Sequence, residues 1–297
     1  MAALQALRPA ASGVVRNPVL VLVTALYGLF QLPNLLVEST SPVLAAAISL
    51  VTFGAMVLFL PFFQGGVLGM ADEAVAGKTR LGTLIAVGKA NYVPLLLGYF
   101  VLLAINVVFG FVAFMGVVIV VIGGSVAGMD GGTGAGMDGG TGAGVDASAL
   151  GFDPTLLAVV GIVAVGLVLA YLLVTFFVQF YAHAVVLDDT ELVDGFRRSA
   201  GLVRSNLLSA FGYTVLLAVG SVIVGVVAAA GSLVFGPQRP AGSPFAEAVS
   251  IEPTLAIVAA IAIGYVLLTG VAGAFYATYS VAFYREISGT RDAASAN

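Results

Sequence analysis

Apolar residues fall along this chain in six long blocks, at 18–37, 43–71, 92–122, 155–187, 206–235 and 254–284, with almost no charge inside them. A run of about 18 or more such residues can cross a bilayer as a helix. The pattern predicts an all-α, polytopic membrane helix bundle: six transmembrane helices in a single integral membrane domain, 1–297. Several blocks exceed the length needed, so their helices should tilt or run past the hydrocarbon. Pro33, Pro61 and the Gly65–Gly66 pair are expected to bend the first two spans.

Between the blocks the period changes. Wound as a helix, "LVDGFRRSAGLVRSNLL" (192–208) brings Leu192, Val193, Phe196, Ala200 and Val203 onto one face, with Asp194, Arg197, Arg198, Gly201 and Arg204 elsewhere. Asp188, Asp189 and Thr190 can cap its start. Segment 188–205 is therefore read as an amphipathic cytoplasmic helix on the membrane surface, against the blander reading of a solvated charged loop. Residues 1–17 repeat the device: "LRPAASGVVRNP" (7–18) lines up with "FRRSAGLVRSN" (196–206), and Leu4, Leu7, Ala11, Val14 and Val15 are in phase. A weaker copy, "LGTLIAVGKANYVP" (81–94), aligns Leu81, Leu84, Ile85 and Gly88.

Each copy ends on a basic residue and then an asparagine: Arg16-Asn17, Lys89-Ala90-Asn91, Arg204-Ser205-Asn206. Long basic side chains can snorkel to anionic headgroups. Arg16, Lys89, Arg197, Arg198 and Arg204 are the candidate headgroup contacts, and asparagine is a favoured cap for the outgoing helix. The returning spans carry the aromatic pairs Phe62-Phe63, Phe176-Phe177 and Phe275-Tyr276 ahead of a charged exit. The chain thus reads as three parallel repeats of surface helix, outgoing span and returning span, a recurrent plan of membrane carriers. The plainer alternative is that any surface helix entering a membrane looks this way.

Composition agrees. Hydrophobic residues are 60% of the chain, charged residues 9%, and mean hydropathy is +1.12, far from the soluble average of about 45–50% apolar and about 25% charged. With no cysteine, disulfides and thiolate metal sites are excluded. Net charge is −4, with two lysines against nine arginines; this acidic, lysine-poor composition points to a haloarchaeal source. Residues 1–17 hold no apolar core followed by a small-residue cleavage site, so the first span is expected to stay in the mature protein.

Loop charges give an orientation. With the N-terminus inside, Arg8, Arg16, Lys78, Arg80, Lys89, Arg197, Arg198, Arg204, Arg285 and Arg291 fall on the cytoplasmic side and only Arg239 outside. That asymmetry predicts both termini in the cytoplasm and residence in the cytoplasmic membrane.

The stretch "VVLDDTELVDGFRRSAGLVRSN" (185–206) resembles the connection between the fourth and fifth spans of uncharacterised six-span archaeal and bacterial membrane proteins. That group is itself similar to the membrane domain fused to some glycerophosphodiester phosphodiesterases. The resemblance rests on an acidic turn, the Arg198-Ser199 pair and the run from Val203 to Asn206, and "YATYSVAFYREISG" (276–289) is also similar. It implies a fold and a membrane role. The phosphodiesterase domain has no room in this chain, so no enzyme activity follows.

Candidate chemistry is sparse. His183 is the single histidine, near the cytoplasmic end of the fourth span, and is expected to be hydrogen-bonded near the headgroups rather than to hold a metal. Polar residues within the spans are few: Gln31, Asn34, Gln64, Asn106 and Gln179, with some serines and threonines. None is ionised, which argues against an ion-coupled pump. Asn106, Gln179 and His183 are the candidate intramembrane polar contacts; Asn106 lies deepest and would bond across helices or line a cavity. Segment 123–154 contains "GMDGGTGA" twice in succession. It matches a dinucleotide fingerprint only by chance, lacking the flanking strand and helix, and is expected to be a flexible outer linker. No catalytic set, cofactor, metal or nucleic-acid partner is expected. Two functions remain open: a non-catalytic protein organising membrane lipids or an unknown membrane protein partner, and a small-solute or lipid carrier or pore.

Overall fold

The computed structural model describes residues 2–37, 42–130, 154–235 and 255–295. The protein is all-α, with no strand among the described residues. In chain order the helices are α1 (Ala2–Gln5), α2 (Leu7–Arg16), α3 (Pro18–Val37), α4 (Pro42–Ala76), α5 (Leu81–Ala90), α6 (Tyr92–Asp130), α7 (Pro154–Val178), α8 (Tyr181–Leu187), α9 (Leu192–Ser205), α10 (Leu207–Phe235) and α11 (Leu255–Ser295). Among the described residues five helices are long and apolar enough to cross a membrane; the total is six if the N-terminal helix pair, bent by 90° between Arg16 and Pro18, counts as one span. The chain is thus a multi-pass membrane protein, as the hydropathy blocks predict.

The helices depart from the expected bounds in several places, α4 for one running past residue 71 to Ala76. The fourth block is not one helix: it breaks at Gln179–Phe180, between α7 and α8. The third runs on to Asp130, so the first eight residues of the expected linker are helical; residues 131–153, with the rest of the duplication, lie outside the described residues, as do 38–41 and 236–254. The last helix does not stop at Tyr284 but reaches Ser295. Residues 188–191 are not helical, and α9 begins only at Leu192.

Two compact units are present, Met1–Tyr99 with Phe177–Asn297, and Phe100–Phe176. In the first, the core lies at the charged ends of the helices. Its largest fully buried side chains are Tyr279, Tyr284, Phe180 and Phe283, followed by Leu20, Met70 and Leu95. Tyr213 stacks on Phe283 at 4.5 Å between ring centroids and on Tyr279 at 5.3 Å. These aromatics, more than the pairs at 62–63 and 275–276, build the centre. Lipid tails are as apolar as leucine, so helices gain by close approach rather than by hiding apolar area. The α3–α11 seam follows that rule: a Cβ on Gly270 would meet the Val21 carbonyl oxygen at 2.8 Å, and the Thr24 hydroxyl donates to the Gly270 carbonyl at 2.6 Å. The expected bend at Gly65–Gly66 has a different purpose. Helix α4 continues through Pro61 and both glycines, and the glycine surface is where α5 lies down.

The second unit is formed by the remaining lengths of α6 and α7. There the Tyr171 hydroxyl donates to Asn106 Oδ1 at 2.9 Å, and Tyr171 meets Phe109 edge to face at 5.5 Å.

Candidate functional site

The three short helices share one hinge. A helix ends with four carbonyls lacking partners, and the next begins with four such N–H groups. Asn17 donates its amide to the Gly13 carbonyl at 2.8 Å, Asn91 to Val87 at 3.2 Å and Asn206 to Leu202 at 3.2 Å. Each bond reaches four residues back. The backbone carbonyls of the same asparagines accept the first bonds of the outgoing helices, from Leu20, Leu95 and Ala210. One residue therefore closes one helix and opens the next. The sequence reading gave the side chain to the outgoing helix; the structure turns it backwards. Asn17 reaches further, donating to the Gly77 carbonyl at 3.0 Å and accepting the Thr79 N–H at 2.9 Å.

Each short helix also packs against a returning helix: α5 against α4, α9 against α8, and α2 against α11 and α4. The faces that meet the protein are ones the sequence reading did not name. In α1 and α2 the buried positions are Ala3, Ala6, Ala10 and Gly13, while Leu4 and Val15 are 60% and 83% exposed. In α9 they are Gly195, Ser199, Leu202 and Val203; Val193 is exposed, and Leu192, Phe196 and Ala200 are half-buried. In α5 Gly88 is buried while Leu81 and Ile85 are exposed. Small residues face the protein, and much of the large apolar set faces out.

Ser199 shows why the small face matters. It accepts the Phe180 N–H at 3.0 Å and donates to the Phe177 carbonyl at 2.7 Å. Both groups belong to the break between α7 and α8. No proline or glycine marks that break; a serine on a neighbouring helix supplies its hydrogen bonds.

The five candidate basic residues separate. Arg16, Lys89, Arg197 and Arg204 are exposed. Arg16 bonds its own helix at Ser12, and Arg197 pairs with Asp194 at 3.3 Å in the open. Arg198 turns inward, with Nε 2.8 Å from Asp188 Oδ2. Asp188 also accepts the Tyr284 hydroxyl and lies 3.8 Å from Arg285, which grips Asp72 with two bonds of 2.9 Å. This cluster links α4, the end of α8, α9 and α11. The sequence reading assigned Asp188, Asp189 and Thr190 to capping α9, but Glu191 holds that position and no side-chain bond is made. Asp188 serves the cluster instead, and Asp189 takes the left-handed turn between the helices at φ 48°, a conformation aspartate tolerates better than most residues.

The other polar candidates also find definite places. His183 is buried between Tyr284, stacked at 5.4 Å, and Phe180, edge-on at 5.6 Å. Neither ring nitrogen has a hydrogen-bond partner among the described residues, so the expected bond near the headgroups is replaced by aromatic packing. Gln179 accepts the Thr214 hydroxyl at 3.2 Å. Asn106 bonds across helices to Tyr171. The side chains of Gln31 and Asn34 lie outside the described residues. Among the described residues no group of three His, Asp or Glu side chains is arranged to hold a metal.

A family model described as "Domain of unknown function (DUF7847)" matches residues 1–287. No curated protein and no solved structure matches the chain.

Proposed function

We propose a non-catalytic, lipid-organising role at the cytoplasmic membrane for this chain, which belongs to the DUF7847 family. The observation that carries the reading is the outward face of the short helices. Large apolar side chains such as Val15, Ile85 and Val193 point away from the protein, near the exposed Arg16, Lys89, Arg197 and Arg204. Apolar and basic groups displayed together suit the boundary between acyl chains and anionic headgroups. In this reading the short helices lie on the inner leaflet and both termini are cytoplasmic, as the ten-to-one asymmetry of basic residues favours. Reporter fusions after Gly144 and after Arg204 should then report opposite sides; same-side readings would refute the orientation.

Each basic residue near an anionic surface contributes about 1 kcal/mol at moderate salt. In molar salt the screening length falls to about 3 Å and that contribution fades. The test is native mass spectrometry of the full chain released from anionic nanodiscs. Exchanging Arg16, Lys89 and Arg204 together for glutamine should reduce retained anionic lipid at low salt and matter little in molar salt. Exchanging Val15 and Val193 for serine should reduce it at both. Equal effects of the basic substitutions at both salts would mean short buried contacts, and the surface reading would fall.

The cluster joining α4, α8, α9 and α11 favours a second reading, a small-solute or lipid carrier whose charged end this cluster closes. Solute leakage through proteoliposomes that rises when Asp188 is replaced would favour the carrier over the lipid organiser.

A further inference from the structure

Asn106 is fourteen positions along α6 from Tyr92. At 1.5 Å per residue that is about 21 Å, inside a hydrocarbon layer about 30 Å thick. Ester and headgroup oxygens stay at the boundary, so only a molecule dissolved in the hydrocarbon brings an oxygen to this depth. Asn106 stands beside a groove of about 270 Å³ between α6 and α7, walled by Phe109, Leu167, Val168 and Tyr171. The floor is open at Gly110, where an added Cβ would meet nothing within 4 Å. Gly54, Gly116, Gly161 and Gly166 are open in the same way, whereas neighbours close over Gly66, Gly88 and Gly270.

The hydrogen-bond count gives the groove its chemistry. An asparagine amide has two N–H donors. One goes to the Leu102 carbonyl at 2.8 Å, while the side-chain oxygen accepts from Tyr171 at 2.9 Å. Among the described residues the second N–H has no acceptor. Such a donor is costly in hydrocarbon, where no water competes to satisfy it. A charged ligand would have to shed its hydration, and no ionised residue lines the groove to receive it. The volume is below the range of drug-sized sites, about 300–1,000 Å³, so it takes one end of a long molecule rather than the whole.

We infer that the Asn106–Tyr171 groove binds a membrane-dissolved neutral amphiphile, a long hydrocarbon bearing one uncharged hydroxyl or carbonyl oxygen that accepts the Asn106 amide N–H. This inference is independent of the surface-helix reading, which concerns the other unit and charged lipids.

The test is photolabelling of the full chain in nanodiscs. Three clickable diazirine probes of equal length are used: a long-chain alcohol, the matching methyl ketone, and the hydrocarbon without oxygen. One net hydrogen bond corresponds to a factor of about three to ten in occupancy. The alcohol and ketone should label α6 and α7 peptides around the groove by that factor over the hydrocarbon. Asn106→Leu should reduce them to the hydrocarbon level, and Gly110→Phe should suppress all three by filling the space. The second variant keeps the test open should the first fail to fold. Equal labelling by all three probes, or labelling indifferent to Asn106→Leu, would overturn the inference. So would a disulfide between two copies of an Ala113→Cys variant that forms in place of probe labelling, because the groove would then be an interface between copies.

Discussion

Asp188→Asn is expected to destabilise the protein by about 2–3 kcal/mol, read as thermal unfolding in nanodiscs. Removing one partner of a fully buried pair costs about 3–5 kcal/mol. The value here is set lower because the Asp188 and Arg198 side chains keep 16% and 34% of their surface exposed. The loss exceeds that of an ordinary surface pair because a single carboxylate receives Arg198 and the Tyr284 hydroxyl and faces Arg285. Asparagine can still accept hydrogen bonds but cannot offset two guanidinium charges. The control is Asp194→Asn. That pair is 62% and 77% exposed, and such pairs contribute about 0–1 kcal/mol. Combining Asp188→Asn with Arg198→Gln should recover part of the loss, since coupled neighbours are not additive. If the Asp188 and Asp194 variants lost the same stability, the cluster would have no structural weight.

Gly66→Ala should be comparably damaging for a steric reason. An added Cβ would sit 2.4 Å from the Leu84 backbone oxygen and 2.6 Å from a Leu84 methyl. The methyl can swing away; the carbonyl belongs to α5 and cannot. Helix α5 would have to lift off α4, an overpacking cost of about 1–3 kcal/mol, larger still for valine. Gly54 lies on the same helix with nothing within 4 Å. Alanine there should be neutral or better, since alanine favours a helix over glycine by about 1 kcal/mol. Equal unfolding temperatures for the Gly66 and Gly54 variants would show that the α4–α5 contact is loose.

These two sites mark what was legible in the sequence. The spans were, because hydropathy over about 20 residues leaves few alternatives. So were the positions of the short helices and the asparagines that end them. The residues they turn to the protein were not. The surface reading leaves Val15, Ile85 and Val193 toward lipid, but it does not single out Ala10, Gly13, Gly195 and Ser199, which go in beside Leu202 and Val203. A reading that scores hydrophobicity gives glycine and serine no inward direction. The cluster around Asp188 was hidden for another reason. Its partner Tyr284 lies 96 residues away, and locally an Asp-Asp-Thr run ahead of a helix looks like a cap. The α7–α8 break carries no marker of its own, because its hydrogen bonds come from Ser199, about twenty residues downstream.

The packing of the short helices also fixes an order of events during synthesis. Helices α5 and α9 lie on α4 and α8, which precede them in the chain, so each meets its partner as soon as it emerges. The N-terminal helices have no such luck: α2 rests largely on α11, and the Tyr279 hydroxyl donates to the Ala3 carbonyl across 276 residues. At about 5–20 residues per second, the first helix made waits on the order of ten to fifty seconds for its partner. Helix α4 covers the Gly13 edge early, through Ala74, but the contacts with α11 form only once that span has been translated.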